Sequence, residues 1–450
     1  MQPGIQNPHC KKQKPTLQAQ QDTGFSEMPL HRLLGRSAAV AGGLRRGLST
    51  AAPFLSYGTL LETAPPRPPW VMIYHTPLAS SPGARRASSH LFDPPSASHL
   101  LVPVHLVDPA PGPDHYRDTS CPIAGGIVHA VSGDGLLLLD FLDFRGKHGA
   151  ARARESTGID ADPELMKFVC NPLSGEIFRL PDMDGVKKDH TWHSHGLVTR
   201  SVRGNGAPDG YAVAELGKAL GADGRSYAMR RFLSQTGEWD EFGLPTPVPA
   251  LAQPLRLGHE VVAFAGRLWW VDVAWGAVSV DPFSDRPDLR FLELPRGCAT
   301  GPVEVLRELM KYRRVGVSEG RLRYVEVTQE EPFVLSSFAL GDDGSCWTLE
   351  HQTVLSRAGV HGVQPSQDDA PQILVVDPLN ARVVHLRIGN LAFAVDMSKE
   401  KVLRWSTIAE GDEAAEEPPS FFKPCVLPAW LGSSHIPSAG TLSSSKDKKN

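Results

Sequence analysis

The stretch 258–295, GHEVVAFAGRLWWVDVAWGAVSVDPFSDRPDLRFLELP, constrains the fold more than any other part of the chain. It predicts four short strands, over 261–265, 268–273, 277–280 and 289–294, with turns at Gly266-Arg267, Trp275-Gly276 and Asp281-Pro282. These runs are rich in Val, Phe and Trp, bounded by Gly and Pro, and too short and too β-prone for helices. Along the second run, Trp269, Val271 and Val273 fall on one face and Leu268, Trp270 and Asp272 on the other, the two-residue alternation of a strand. Such a meander cannot bury both faces alone, so it requires neighbours of its own kind.

Weaker copies supply them. Units are expected over 126–181, 210–249, 312–355 and 371–408, and strands at 70–74 and 100–107 begin a first unit. The repeat averages about 50 residues, the spacing of propeller blades. The sequence therefore predicts an all-β, β-propeller-like array of four-stranded meanders over 53–432, with six blades, a spacing that also admits five to seven. Asn171-Pro172, Asp281-Pro282 and Asp377-Pro378 each leave a strand, turn and lead into another. The Asn or Asp side chain accepts backbone hydrogen bonds from residues just ahead, and Pro presets the first turn angle. Glycine turns at Gly237 and at Asp343-Gly344 stand between them, so the Asx-Pro turns read as a structural signature in phase with the repeat. One helix is expected, over 302–311 (PVEVLRELMK).

The chain is 41% hydrophobic and 21% charged, a soluble globular balance that rules out wholesale disorder. A formal net charge of −4 argues against a nucleic-acid surface. The charge is uneven, however. Lys11, Lys12, Lys14, Arg32, Arg36, Arg45 and Arg46 precede residue 53 against only Asp22 and Glu27, leaving the rest acidic. Residues 1–27 read as a polar, disordered extension. Over 28–52 (MPLHRLLGRSAAVAGGLRRGLSTAA) there is no acid, and a helix would gather Leu30, Leu33, Leu34, Val40, Leu44 and Leu48 within roughly 120°, with Arg32, Arg36 and Arg46 opposite. That is the composition of an organelle transit peptide, directed to the mitochondrial matrix, with chloroplast or cytoplasm as alternatives. Met28 is then the expected working start of translation. Residues 433–450, rich in Ser and Lys, read as a disordered tail. The six cysteines form no Cys-x-x-Cys pair and are expected to be reduced thiols. No apolar run is long enough for a membrane helix.

Several segments carry a family resemblance: FLSYGTLLE…PPWVMI, FVCNPLSGEIFRLP, YAVAELG, GEWDEFGLP, RRVGVSEGRLRYVEV, LAFAVDMSKEKVL and, most specifically, GRLWWVDVAWGAVSVDPFSDRPDLRFLELP. Together they resemble the plant domain of unknown function 1618, a family expanded in grasses, over about 70 to 432. The CNPLSGE…LP element is also similar to F-box-associated β-propeller domains. Residues 1–69 lack the leucine-rich helical triplet of an F-box, so no ubiquitin-ligase role is implied. The resemblance implies a propeller-like fold and transfers no catalytic residue.

The densest set of metal-type ligands is His190, His193 and His195. On a regular strand the last two would share a face suited to Zn²⁺ or Cu²⁺, but no cysteine or acid stands at ligand spacing. No metal, cofactor or catalytic residue is therefore assigned. Phosphate-loop and Gly-x-Ser-x-Gly patterns are absent from the sequence. Asp134, Asp140, Asp143, Asp272, Asp281 and Asp377 lie at or near strands and read as turn formers or exposed groups. Trp269 and Trp270 read as blade core, and Trp275, placed in a turn, is the recognition candidate. The function this supports is a non-enzymatic, monomeric interaction module for an unidentified protein partner. The alternative is a carbohydrate-binding or hydrolytic propeller with acidic residues near its central mouth.

Overall fold

The computed structural model describes residues 67–108, 123–143, 164–182, 190–201, 206–219, 227–245, 260–299, 306–355, 370–408 and 419–437. Four meanders follow one pattern. Strands β10 (His190–Arg200), β11 (Gly210–Ala219), β12 (Tyr227–Leu233) and β13 (Glu238–Leu244) pair in sequence order, each antiparallel to the last. So do β14 (Glu260–Phe264), β15 (Arg267–Asp272), β16 (Gly276–Val280) and β17 (Arg290–Glu293). The next is β18 (Arg313–Ser318), β19 (Arg321–Val327), β20 (Phe333–Leu340) and β21 (Trp347–Leu355). The last is β22 (Gln372–Val376), β23 (Val383–Ile388), β24 (Leu391–Asp396) and β25 (Lys401–Thr407). A fifth sheet, β6 (Ile123–Val131), β7 (Leu137–Asp143), β8 (Glu164–Cys170) and β9 (Ile177–Arg179), gains the two-residue β2 (His75–Thr76) on its first strand.

The sixth sheet is composite. Strand β26 (Lys423–Val426) pairs antiparallel with β1 (Trp70–Ile73), which runs parallel to β5 (Ala97–Pro103); β3 (Leu78–Ala79) and β4 (Ser88–His90) complete it. Taken in chain order, β6, β10, β14, β18, β22 and β26 each lie beside the next, and β26 returns to β6. First strands in a ring, with their meanders running outward from it, make a β-propeller. Pairing β1 with β26, from opposite ends of the described chain, closes the ring.

The second and third strands of the blades are buried on both faces, because each blade is covered on two sides, while the fourth strands are largely exposed. Trp270 is fully buried with Leu268, Val278 and Val280 against Ala212, Ala214 and Met229 of the preceding blade, and its Nε1 donates to Ser194 O at 2.8 Å. On the other face Val271 and Ala277 meet Val315, Leu322 and Tyr324 of the following blade. At Gly196 on β10 a Cβ would lie 2.6 Å from Val261, so the blades approach to backbone distance there. Gly135, in the β6–β7 turn at φ +87°, sits under Val426 O, where a Cβ would come within 2.2 Å. That turn is thereby locked against the closing strand.

Three expectations need correction. Residues 104–107, expected to extend a strand, form a one-turn helix, α1 (Val104–Val107), with Asp108 N–H donating to Val104 O at 2.8 Å. Pro103 ends the ladder because it brings no N–H to it. The expected link helix is present as α2 (Leu306–Tyr312). The Asx-Pro turns do not share one phase. Asn171 and Asp281 stand between the third and fourth strands of their blades, whereas Asp377 joins the first and second. In that last blade the third-to-fourth turn is made by Asp396, whose Oδ1 accepts from Ser398 and Lys399 N–H without a following Pro. Finally, the folded contacts continue past 432: Ile436 is buried, and its N–H donates to Glu176 Oε2 at 2.9 Å. The leader at 28–52, the extension at 1–27 and most of the tail lie outside the described residues.

Candidate functional site

In two neighbouring blades, charged and imidazole residues stand opposite one another on successive strands. His129 is on β6, Asp140 on β7 and Lys167, directly opposite Asp140, on β8. In the next blade His195 on β10 faces Glu215 on β11, Glu215 faces Arg230 on β12, and Arg230 faces Glu241 on β13. His129 Nδ1 lies 2.9 Å from Asp140 Oδ2, and His129 Nε2 accepts the His195 backbone N–H at 3.1 Å. Accepting at Nε2 fixes the proton of a neutral His129 on Nδ1, pointing at the carboxylate. His195 Nε2 lies 2.6 Å from Glu215 Oε2. Arg230 donates to Glu215 Oε1 at 3.3 Å and to Glu241 Oε2 at 3.2 Å.

Burial alone would raise the Asp140 and Glu215 carboxyls. For Asp140 the His129 contact outweighs it, and for Glu215 the His195, Lys167 and Arg230 charges do, so both are held below the usual carboxylate range. His195 is pushed down, first by burial and then by Lys167, against the pull of Glu215 and Asp140. The row thus sets buried carboxylates against cations and imidazoles, spanning the seam between two blades.

A second cluster lies among the first strands of the ring. Glu260 on β14 is buried and contacts Arg314 on β18 at 3.1 Å and Lys423 on β26 at 3.9 Å. Arg314 also donates to Pro419 O at 2.8 Å and Phe422 O at 2.9 Å, fixing the chain as it enters the closing strand. Burial, then Arg314, lowers the Lys423 ammonium to about 8, with Glu260 opposing.

The residues expected from sequence are distributed as follows. His190 and His193 lie on β10 with His195, and the register of β10 against β11 shifts between Trp192 and His195. Among them, the structure brings His195 to His129 and Asp140, one donor atom of each lying within 4.8 Å of the others. The expectation that Asp140 is an exposed or turn residue is therefore corrected, because it is buried at the seam. Asp272 is buried too, its Oδ1 accepting the Ala274 N–H at 2.9 Å in the turn. Asp281 Oδ1 accepts from Phe283 N–H, Asp377 Oδ1 from Leu379 and Asn380 N–H, and Asn171 Oδ1 from Leu173 and Ser174 N–H. Pro172, Pro282 and Pro378 occupy the following turn positions. Trp275 does sit in the β15–β16 turn, but half-buried against the core around Trp270. Cys170, Cys298, Cys346 and Cys425 are free thiols. No helix among the described residues is long and apolar enough to cross a membrane.

Residues 270–385 match the family described as Protein of unknown function (DUF1618). The matched stretch runs from the buried Trp270 on β15 to His385 on β23, through the whole of the blade β18–β21. No curated protein matches the chain. Among solved structures, the chain is similar to the Penicillium chrysogenum α-L-arabinanase complexed with arabinobiose at 14% identity and a TM-score of 0.32, covering 61% of this chain and 78% of that one. It is similar to the Fusarium graminearum GH93 α-L-arabinofuranosidase with arabinobiose at 12% identity and a TM-score of 0.32, covering 62% and 80%. The Myceliophteria thermophila Cps50 (Swd1) β-propeller domain is matched at 9% identity and a TM-score of 0.28, covering 63% and 82%.

Proposed function

We propose that this propeller is a non-enzymatic protein-interaction module, and that its partner lays an extended segment along the outer edge strand β25. The carrying observation is the placement of exposed apolar side chains. Trp405 and Leu403 on β25 are 54% and 44% exposed, and Val354 and Leu349 on β21 are 61% and 46% exposed. Both strands are the last of their sheets, so among the described residues each offers a row of backbone donors and acceptors with no strand beside it. A tryptophan on such an edge combines a large contact area with a ladder ready for strand addition. Lys401 and Arg404 are exposed on the same strand, which favours a segment carrying acidic residues beside its apolar ones.

The internal chemistry supports this reading over hydrolysis. Glu260, the buried carboxylate of the ring cluster, is matched by Arg314 and Lys423, and Glu215 is matched by Arg230 and His195. A glycosidase pair needs one acid held protonated by burial, whereas Asp140 and Glu215 are both pushed toward ionisation. The test is capture of partner by the full chain and by a Leu403→Ser, Trp405→Ser double variant with an unchanged near-ultraviolet spectrum. The wild type should retain one stoichiometric protein that the variant loses by at least tenfold in affinity. Equal retention by both, or turnover of an oligosaccharide by the wild type, would defeat the reading.

A further inference from the structure

We infer that His129, Asp140 and His195 form a binding site for one divalent transition metal of the zinc class, at the seam between the blades β6–β9 and β10–β13. Two imidazoles and a carboxylate are a donor set suited to such ions. One donor atom of each residue lies within 4.8 Å of the others. His129 Nδ1 and Asp140 Oδ2 are 2.9 Å apart. Two ligands at the tetrahedral angle around an ion ~2.0–2.1 Å away stand ~3.3–3.4 Å apart, so this pair would open by about half an ångström to admit it.

Ring orientation separates this group from the other histidines. The His129 and His195 planes cross at 79°, with centroids 5.6 Å apart, so both planes can pass through one ion. His90 and His99 stack within 8° of parallel, and parallel planes offset in space share no such point. Asp140 Oδ1 is buried without a hydrogen-bond partner among the described residues, which leaves it an unmet need for a cation. Glu215 Oε2, at 2.6 Å from His195 Nε2, is a carboxylate placed to orient that imidazole.

Two features oppose the ion and set its affinity. Lys167, opposite Asp140 in register, acts on Asp140, His195 and Glu215 as a competing positive charge. His129 must also move its proton from Nδ1 to Nε2 and give up the His195 N–H bond. Removing Lys167 is therefore predicted to tighten binding rather than weaken it.

The experiment adds Co²⁺ to the full chain, reads its visible ligand-field band and the shift in Tm, and then displaces it with Zn²⁺. One equivalent should bind and raise Tm, since the ion holds the native seam together. His195→Asn and Asp140→Asn should abolish the band and the shift, His90→Asn with His99→Asn should leave both unchanged, and Lys167→Met should tighten binding about tenfold, ~1.4 kcal/mol. A band that survives His195→Asn and Asp140→Asn overturns the inference, as does failure of both wild type and Lys167→Met to bind one equivalent. If the Asp140 variant does not fold, the Lys167→Met comparison decides, and unchanged affinity there overturns the assignment.

Discussion

Replacing Arg314 by methionine removes the best-connected cation of the ring while keeping the length of its side chain. Glu260 is left buried with Lys423 at 3.9 Å, and the carbonyls of Pro419 and Phe422 lose donors at 2.8 and 2.9 Å. Breaking one side of a buried ion pair costs about 3–5 kcal/mol, because the surviving charge stays desolvated. Each stranded carbonyl adds about 1 kcal/mol where water cannot replace the donor. The expected loss is therefore about 5–7 kcal/mol, far above what an exposed pair such as Lys311–Glu308 contributes. Urea unfolding of Arg314→Met, Glu260→Gln and the double variant measures it as a cycle. The double variant should recover at least 1–2 kcal/mol of the single loss, since its glutamine buries no charge. A single-variant loss below about 1 kcal/mol, or strict additivity, would refute the claim that these strands are held through Glu260.

Acid should weaken the fold well before its carboxylates titrate. Burial, then the neighbouring His99, lowers His75 from 6.5 to about 4, and His99 and His195 are lowered in the same direction. The folded state then binds fewer protons than the unfolded chain between about pH 6.5 and 4. Stability is full above that window and falls as pH drops through it, by about 1–2 kcal/mol for the partly exposed His75 after solvent screening. Urea midpoints at pH 7 and 4.5 should show the fall, and His75→Asn should reduce it; equal midpoints would contradict it. For the N-terminus, the Arg-rich stretch 28–52 predicts a mature protein beginning near residue 50 in the mitochondrial fraction. Mass spectrometry of the purified protein checks this, and retention of Met1 would contradict it.

The blade β14–β17 is legible in sequence because everything that specifies it is local: short Val- and Trp-rich runs, period-two alternation and Gly or Asx-Pro turns. Of the composite sheet the strand near 70–74 and the start of the one at 100–107 are legible, but their pairing is not, because β1 finds its partner in β26, more than three hundred residues away, and β2 to β4 are too short to show a period. Residues 104–107 read as strand because a short run with three apolar residues around His105 looks alike in either state, and only Pro103 hinted at a break. The seam cluster was half visible. His195 stands out through its neighbours His190 and His193, yet its spatial partners are His129 and Asp140, from another blade. The missed signal is a charged or imidazole residue set among apolar ones in successive strands: His129 in IVHAV, Asp140 in LLLDFL, Lys167 in LMKFV, Glu215 in YAVAELG and Arg230 beside Arg231 in YAMRRFL. Burial makes each such residue costly alone, so their occurrence on neighbouring strands implies that they meet. The exposure of Trp405 had no sequence signature, since whether an outer strand faces water depends on where the meander ends.

Amide hydrogen exchange with and without the bound partner tests the interaction account most directly. Strand addition at β25 predicts that backbone amides within 401–407 on its free edge slow by at least tenfold in the complex, while those of β14, β18 and β26 stay unchanged. Slowing confined to the first strands of the ring, with β25 unaffected, would contradict it.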